Sequence, residues 1–100
     1  MPERYFHPEE LVAALSRGAG ADASLAARFA AKEAFGKALG TGLEGINLKD
    51  ILVVNLPGGC PKLKVSGTAL AALEKNGADK IFLSLSHDAD HAVAMVVLEV

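Results

Sequence analysis

The sequence predicts an α+β fold, with a mainly antiparallel sheet packed on a long central helix. Three observations predict it. Residues 24–39, "SLAARFAAKEAFGKAL", hold apolar side chains at helical spacing with no proline. Residues 50–56, "DILVVNL", and 80–86, "KIFLSLS", have the β-branched and alternating composition of strands, and each is followed by turn residues and a second strand-like stretch. Helices and hairpins come in runs instead of strict alternation, which favours α+β over a parallel βαβ arrangement.

The elements follow in order. Pro8 with Glu9 and Glu10 marks a helix start, with proline at the first helical position and acids in the first turn. That helix is expected to run to about Arg17 and stop at "GAG". Asp22 or Ser24 then caps a longer helix through Leu39, which Gly40 and the following Thr41 and Gly42 close. "DILVVNL" reads as a buried strand; after "PGGCP", the stretch "KLKVS" alternates Lys and apolar residues, a hairpin partner with one wet face. Ser66 or Thr68 caps a third helix over "ALAALEKN", closed by Gly77. "KIFLSLS" and "HAVAMVVLEV" form a second hairpin around "HDAD". No repeat, low-complexity segment or linker interrupts the 100 residues, so a single domain over residues 1–100 is expected, with 51% hydrophobic residues to fill its core.

The formal net charge is only −2, from ten Lys and Arg against twelve Asp and Glu. No basic field points to nucleic acid, so electrostatic recognition must be local. Cys60 is the single cysteine, which excludes an internal disulfide framework and fits a reducing compartment, by default the cytoplasm. "MPERYFHPEE" lacks the basic start and apolar stretch of a signal peptide, and the apolar stretches are too short to span a bilayer.

The central helix carries charges in unexpected places. Leu25, Phe29, Phe35 and Leu39 fall on one arc, with Ala26, Ala27, Ala30, Ala31, Ala34 and Ala38 over most of the other side. Arg28 and Lys32 lie within the large apolar arc, while Glu33 and Lys37 sit at its boundary with the Ala side, one turn apart. Long side chains that snorkel past apolar neighbours would explain this, with Glu33 and Lys37 as an (i, i+4) pair worth about 0.2–0.5 kcal/mol. Cations at the end of a packed helix beside a Gly-rich turn would equally suit a phosphate-binding cleft. The residues alone leave both readings open. In the last hairpin Ile81, Leu83, Leu85 and His87 share one strand face, which brings the imidazole out on the core side, as a satisfied core residue or as a functional one. Asp88, Asp90 and His91 follow, but turn chemistry accounts for them, and no metal site of that segment alone is expected.

Taken together, "RFAAKEAFGKALGTG" and "SLSHDADHAVAMVVLE" resemble the holo-acyl-carrier-protein synthase family of 4'-phosphopantetheinyl transferases. The Lys-Glu-Ala signature is present as Lys32, Glu33 and Ala34, preceded by Arg28, followed by Lys37 and by the Gly40-Thr41-Gly42 turn. "GGCPKL" is similar to the family's Gly-x-Pro hairpin, with Cys60 at the variable position, and Ser84 to His87 match its final Ser-x-Ser-His. "FHPEEL" resembles a Phe-Thr-x-x-Glu segment, with His7 at the place of the hydroxyl. The resemblance covers the chain from Phe6 to Glu99.

The resemblance implies a 4'-phosphopantetheinyl transferase-like fold. It further implies transfer of the 4'-phosphopantetheine arm from coenzyme A, as substrate, to a serine of an acyl carrier protein in fatty acid or polyketide synthesis. Mg²⁺ is the implied metal and a homotrimer with clefts between subunits the implied assembly; neither nucleic acid nor a membrane is an implied partner. Glu33 would be a catalytic carboxylate and metal ligand, and Lys37 would stabilise charge on the transferring phosphate. Arg28 and Lys32 would face coenzyme A phosphates or hold the cleft, Gly40 would let backbone approach the cofactor, and His87 would sit near the nucleotide's phosphates or help deprotonate the serine. Asp88 would orient His87. The family begins with a strand bearing a Gly-x-Asp signature whose Asp is a second metal carboxylate; Met1 stands after that segment, and no residue here takes its role. Alternative readings are a non-catalytic relative that keeps a coenzyme A or nucleotide cleft as a binding or assembly protein, and a site completed by a strand from another chain.

Overall fold

The computed structural model describes residues 4–87 and 91–100, apart from the side chain of His87. Three α-helices, α1 (Pro8–Leu15), α2 (Ala21–Leu39) and α3 (Gly67–Asn76), accompany four strands, β1 (Ile51–Asn55), β2 (Pro61–Val65), β3 (Lys80–His87) and β4 (Ala92–Glu99). Single 3₁₀ turns at Gly18–Gly20 and Leu48–Asp50 precede α2 and β1. β1 pairs antiparallel with β2 and β3 with β4, as two hairpins. β2 runs beside β3, and α2 lies across β4 with further contacts to β3, β1 and α1. The α+β class and the long central helix hold as the sequence predicts.

α1 starts at Pro8 with Glu9 and Glu10 in its first turn, as expected, but the caps of the helices are not the ones the sequence suggests. α1 ends at Leu15, not Arg17, after its first turn is closed by His7, whose Nδ1 accepts from Glu9 N at 3.0 Å while Glu10 Oε1 accepts from His7 N. An imidazole thus performs the capping that a hydroxyl usually performs. Neither Asp22 nor Ser24 caps α2; it grows directly out of the 3₁₀ turn from Gly20 without a side-chain cap. At α3 the side chain of Ser66 makes no cap bond. Asp50 supplies it from across the chain, Oδ2 accepting from Thr68 N at 2.8 Å and Thr68 Oγ1 at 2.7 Å. Those bonds, the hydroxyl's first and then the backbone amide's, hold the Asp50 carboxyl below its ordinary range.

Phe35, Leu39, Ile51, Val53, Leu63 and Leu73 make the centre of the core between α2, the first hairpin and α3. Ala27 and Ala31 belong to the buried face of α2, whereas Leu25 and Phe29 lie half-buried at its edge, the reverse of what side-chain size suggests. Small residues are needed where the helix axis comes close to the strands beneath it. The second hairpin turns Ile81, Leu83, Leu85, Ala94, Val96 and Leu98 towards that core. Its opposite face leaves Phe82, Val93, Met95 and Val97 exposed, with Phe82 and Val97 directly cross-strand.

Candidate active site

Beyond Asp22 in the first turn, the charges of α2 divide into two sets. Arg28 and Lys32 point into the protein, at 4% and 0% exposure, whereas Glu33 and Lys37 are exposed. A helix turns about 100° per residue, so Lys32 and Glu33, though consecutive, leave the helix in different directions.

Lys32 is committed on every donor. Its Nζ gives hydrogen bonds to Glu10 Oε1 at 2.8 Å, to the Leu48 carbonyl at 2.8 Å and to the Ile51 carbonyl, and it lies 5.4 Å from the centre of the Phe6 ring. The Glu10 carboxylate is also fully buried, and its Oε2 accepts from Val53 N at 3.1 Å. Arg28 donates to the Val53 carbonyl, to Ser24 Oγ at 3.2 Å and to Asn55 Oδ1 at 3.3 Å. The edge of β1 that does not face β2 is therefore satisfied by side chains of α1 and α2, Val53 through both its N–H and its carbonyl. Burial pulls the ammonium of Lys32 and the guanidinium of Arg28 below their ordinary pKa ranges; Glu10 pushes both back up.

Glu33 and Lys37 have a different setting. Among the described residues the Glu33 side chain takes part in no hydrogen bond or ion pair, and it is not within ion-pair distance of Lys37. The simple (i, i+4) pair is thus not formed, and a carboxylate and an ammonium both face outward from the same side of α2. One turn further on, Gly40 ends the helix at φ 83°, a left-handed conformation costly for any residue with a Cβ, and donates to the Lys37 carbonyl. Gly42 N then bonds back to the Gly36 carbonyl at 3.0 Å. Gly36 permits that return, since a Cβ there would stand 2.8 Å from the Gly42 carbonyl carbon. The Gly-Thr-Gly turn is folded onto the helix turn that presents Glu33 and Lys37.

A cleft of about 490 Å³ lies at the other end of α2, with Arg17, Ser24, Arg28, Asn55 and Leu85 among the residues that line it. Lys32, Glu33, Lys37 and Gly40 are not in its lining. Leu85 brings β3 to this cleft, and two residues on, the backbone of His87 ends the strand opposite Ala92. The His87 side chain, Asp88 and Asp90 lie outside the described residues. Among the described residues no three His, Cys, Asp or Glu side chains converge as a metal cluster, and no helix is long and apolar enough to cross a membrane.

Sequence reasoning singled out four of these α2 positions and missed the partners that sort them. Glu10 was legible as a first-turn acid and as the Glu of the Phe-Thr-x-x-Glu resemblance, with no partner attached to it. Its role needs Lys32, 22 positions later, and the β1 amide, 43 positions later, neither of which any local pattern ties to it.

Comparison with known proteins shows which family the chain resembles. Residues 1–96 match the profile of the 4'-phosphopantetheinyl transferase superfamily. A holo-acyl-carrier-protein synthase of Treponema denticola is 58% identical over 97 residues, which are 97% of this chain and 79% of that protein. The corresponding protein of Treponema pallidum is 47% identical over 96 residues, 96% of this chain and 76% of its own. The crystal structure of the Neisseria meningitidis synthase superposes with a TM-score of 0.85 at 37% identity, covering 97% of this chain and 78% of that one. The Helicobacter pylori synthase, solved in complex with coenzyme A, gives 0.81 at 31% identity over 97% of this chain and 79% of that one. The exposed carboxylate and ammonium on an otherwise packed helix, the folded Gly-Thr-Gly turn and these matches agree: the chain belongs to the holo-acyl-carrier-protein synthase family of transferases within the 4'-phosphopantetheinyl transferase superfamily.

Proposed function

We propose that this chain transfers the 4'-phosphopantetheine arm of coenzyme A to a serine of an acyl carrier protein, serving fatty acid or polyketide synthesis in the cytoplasm. The observation that carries the reading is the Glu33 carboxylate, without a partner among the described residues, with the Lys37 ammonium one turn away on the exposed side of α2. Support comes from the family and from the relative solved with coenzyme A. The serine oxygen attacks the phosphorus next to pantetheine, the bond to the bridging pyrophosphate oxygen breaks, 3',5'-ADP leaves, and the serine proton goes to a base.

The residues have fitting chemistry for these jobs. A free carboxylate is an oxygen ligand suited to Mg²⁺, which keeps several waters and takes its other ligands from substrate phosphates. When bound, the metal would neutralise pyrophosphate charge. Lys37 donates to the transferring phosphate, and the Gly40 backbone admits the cofactor closely. His87, at the end of β3, receives the serine proton directly or through water, or holds the nucleotide's phosphates; Asp88 orients it. Arg28 and Lys32 hold the frame of the cleft, the use that fits their buried donors. The comparisons lend the non-catalytic alternative no support.

Glu33 and Lys37 are not in the lining of the cleft at Arg28. The outer face of Phe82, Val93, Met95 and Val97 is a contiguous apolar surface of the sort that subunit contacts cover. Both favour a homotrimer with coenzyme A between subunits. The test is mass spectrometry of an apo acyl carrier protein incubated with the chain, coenzyme A and Mg²⁺. A phosphopantetheine-sized gain that Glu33→Gln does not produce is expected. No gain from folded wild type with several carrier proteins overturns the reading.

A further inference from the structure

We propose that Glu10 is a positioning residue for this reaction, acting through Lys32 to fix the rotation of α2 and so the direction of Glu33 and Lys37. The inference rests on the proposed transfer activity.

The pair is fully buried, yet the core around it needs only volume. Replacing a buried ion pair by apolar side chains of similar size is often neutral or stabilising, so stability alone gives weak reason for this arrangement. Directional bonds give a better one. Glu10 Oε1 accepts from His7 N and Lys32 Nζ, and Oε2 from Val53 N, so one carboxylate joins the start of α1, the middle of α2 and the edge of β1. Lys32 adds the Leu48 and Ile51 carbonyls. Apolar contacts tolerate a few tenths of an ångström of sliding and some rotation; this set of bonds does not.

Lys32 immediately precedes Glu33, and Lys37 follows one turn later. Whatever fixes Lys32 about the helix axis fixes Glu33 about 100° away from it. The exposed pair has no bonds of its own to the rest of the described chain, so its aim depends on the inward anchors. A misplacement of about 1 Å at a reacting group costs on the order of 100-fold in rate.

The experiment compares the wild type with Glu10→Met/Lys32→Met, which removes both charges at similar volume, and with Glu10→Gln. Thermal melting, transfer kinetics with coenzyme A and Mg²⁺, and amide hydrogen exchange over residues 33–39 of the free protein are read on each. The double variant is expected to melt close to the wild type, while kcat falls about tenfold or more. KM for coenzyme A should change far less, and exchange over residues 33–39 should accelerate. A double variant with wild-type melting and wild-type kcat overturns the proposal. If the double variant does not fold, Glu10→Gln decides by the same kcat criterion at a temperature where it is folded. If the wild type transfers nothing, the activity reading falls, and unchanged exchange in the double variant overturns the anchoring as well.

Discussion

The inward and outward charges of α2 sit within ten residues of each other and obey different rules. Arg28 and Lys32 are surrounded by carbonyls, by Glu10 and by short polar side chains, and each side-chain nitrogen has at least one named acceptor. Glu33 and Lys37 face out with no such acceptors or donors among the described residues. One set has been withdrawn from water and is bound to the frame. The other is left available. The difference teaches that a buried charge and an exposed one on the same helix are not a single cluster, even when the sequence places them side by side, because the first is bonded to the fold and the second is not.

The largest effect that would sharpen the contrast is expected from Lys32→Met alone. It leaves Glu10 buried without its cation, and loss of one partner of such a pair costs about 3–5 kcal/mol; urea unfolding at equilibrium measures it. Gly36→Ala comes next. Its new Cβ would meet the Gly42 carbonyl carbon at 2.8 Å, and overpacking of that sort costs about 1–3 kcal/mol while pushing the turn off the helix. Melting and coenzyme A affinity should fall together, whereas an unchanged affinity would separate the turn from the site. His7→Ala removes the cap of α1 at about 1 kcal/mol, and His7→Ser should restore it, as chemical denaturation would report.

The smallest effect concerns pH. The folded-state pKa of Asp50 is below its ordinary 3.8, so its contribution is present above that value and lost as pH falls through the folded pKa. Wild type should therefore melt above Asp50→Asn at neutral pH, by a modest margin because the carboxylate is near water, and the margin should close below pH 3.8. A margin that persists at lower pH would show that the bonds to Thr68 do not depend on charge.

Much of this was legible before any coordinates. Hairpins, helices and their order followed from β-branched runs, alternation and glycine punctuation, because these are local signals. Helix starts were less legible. Ser24 looked like a cap and instead accepts from Arg28 four residues on, while Asp50 caps a helix that begins 17 residues after it. Side chains that bond at a distance cannot be located by spacing. Arg28, Lys32, Glu33 and Lys37 were found by their odd placement, but only the depth of each one separates those bonded to the frame from those left exposed. The large apolar arc is only half right: Phe35 and Leu39 are in the core, whereas Leu25 and Phe29 are half-buried and Ala27 and Ala31 are buried beside them.

The most direct test of the account is the stabilisation of wild type and Glu33→Gln by coenzyme A with and without Mg²⁺, read as melting temperature. A ligand at 100 times its Kd adds about 2.7 kcal/mol to the folded state. The account predicts that the two proteins melt alike without ligand and that coenzyme A with Mg²⁺ raises only the wild type. A Glu33→Gln protein stabilised as much as the wild type would contradict it, because the exposed carboxylate would then hold no metal for the cofactor.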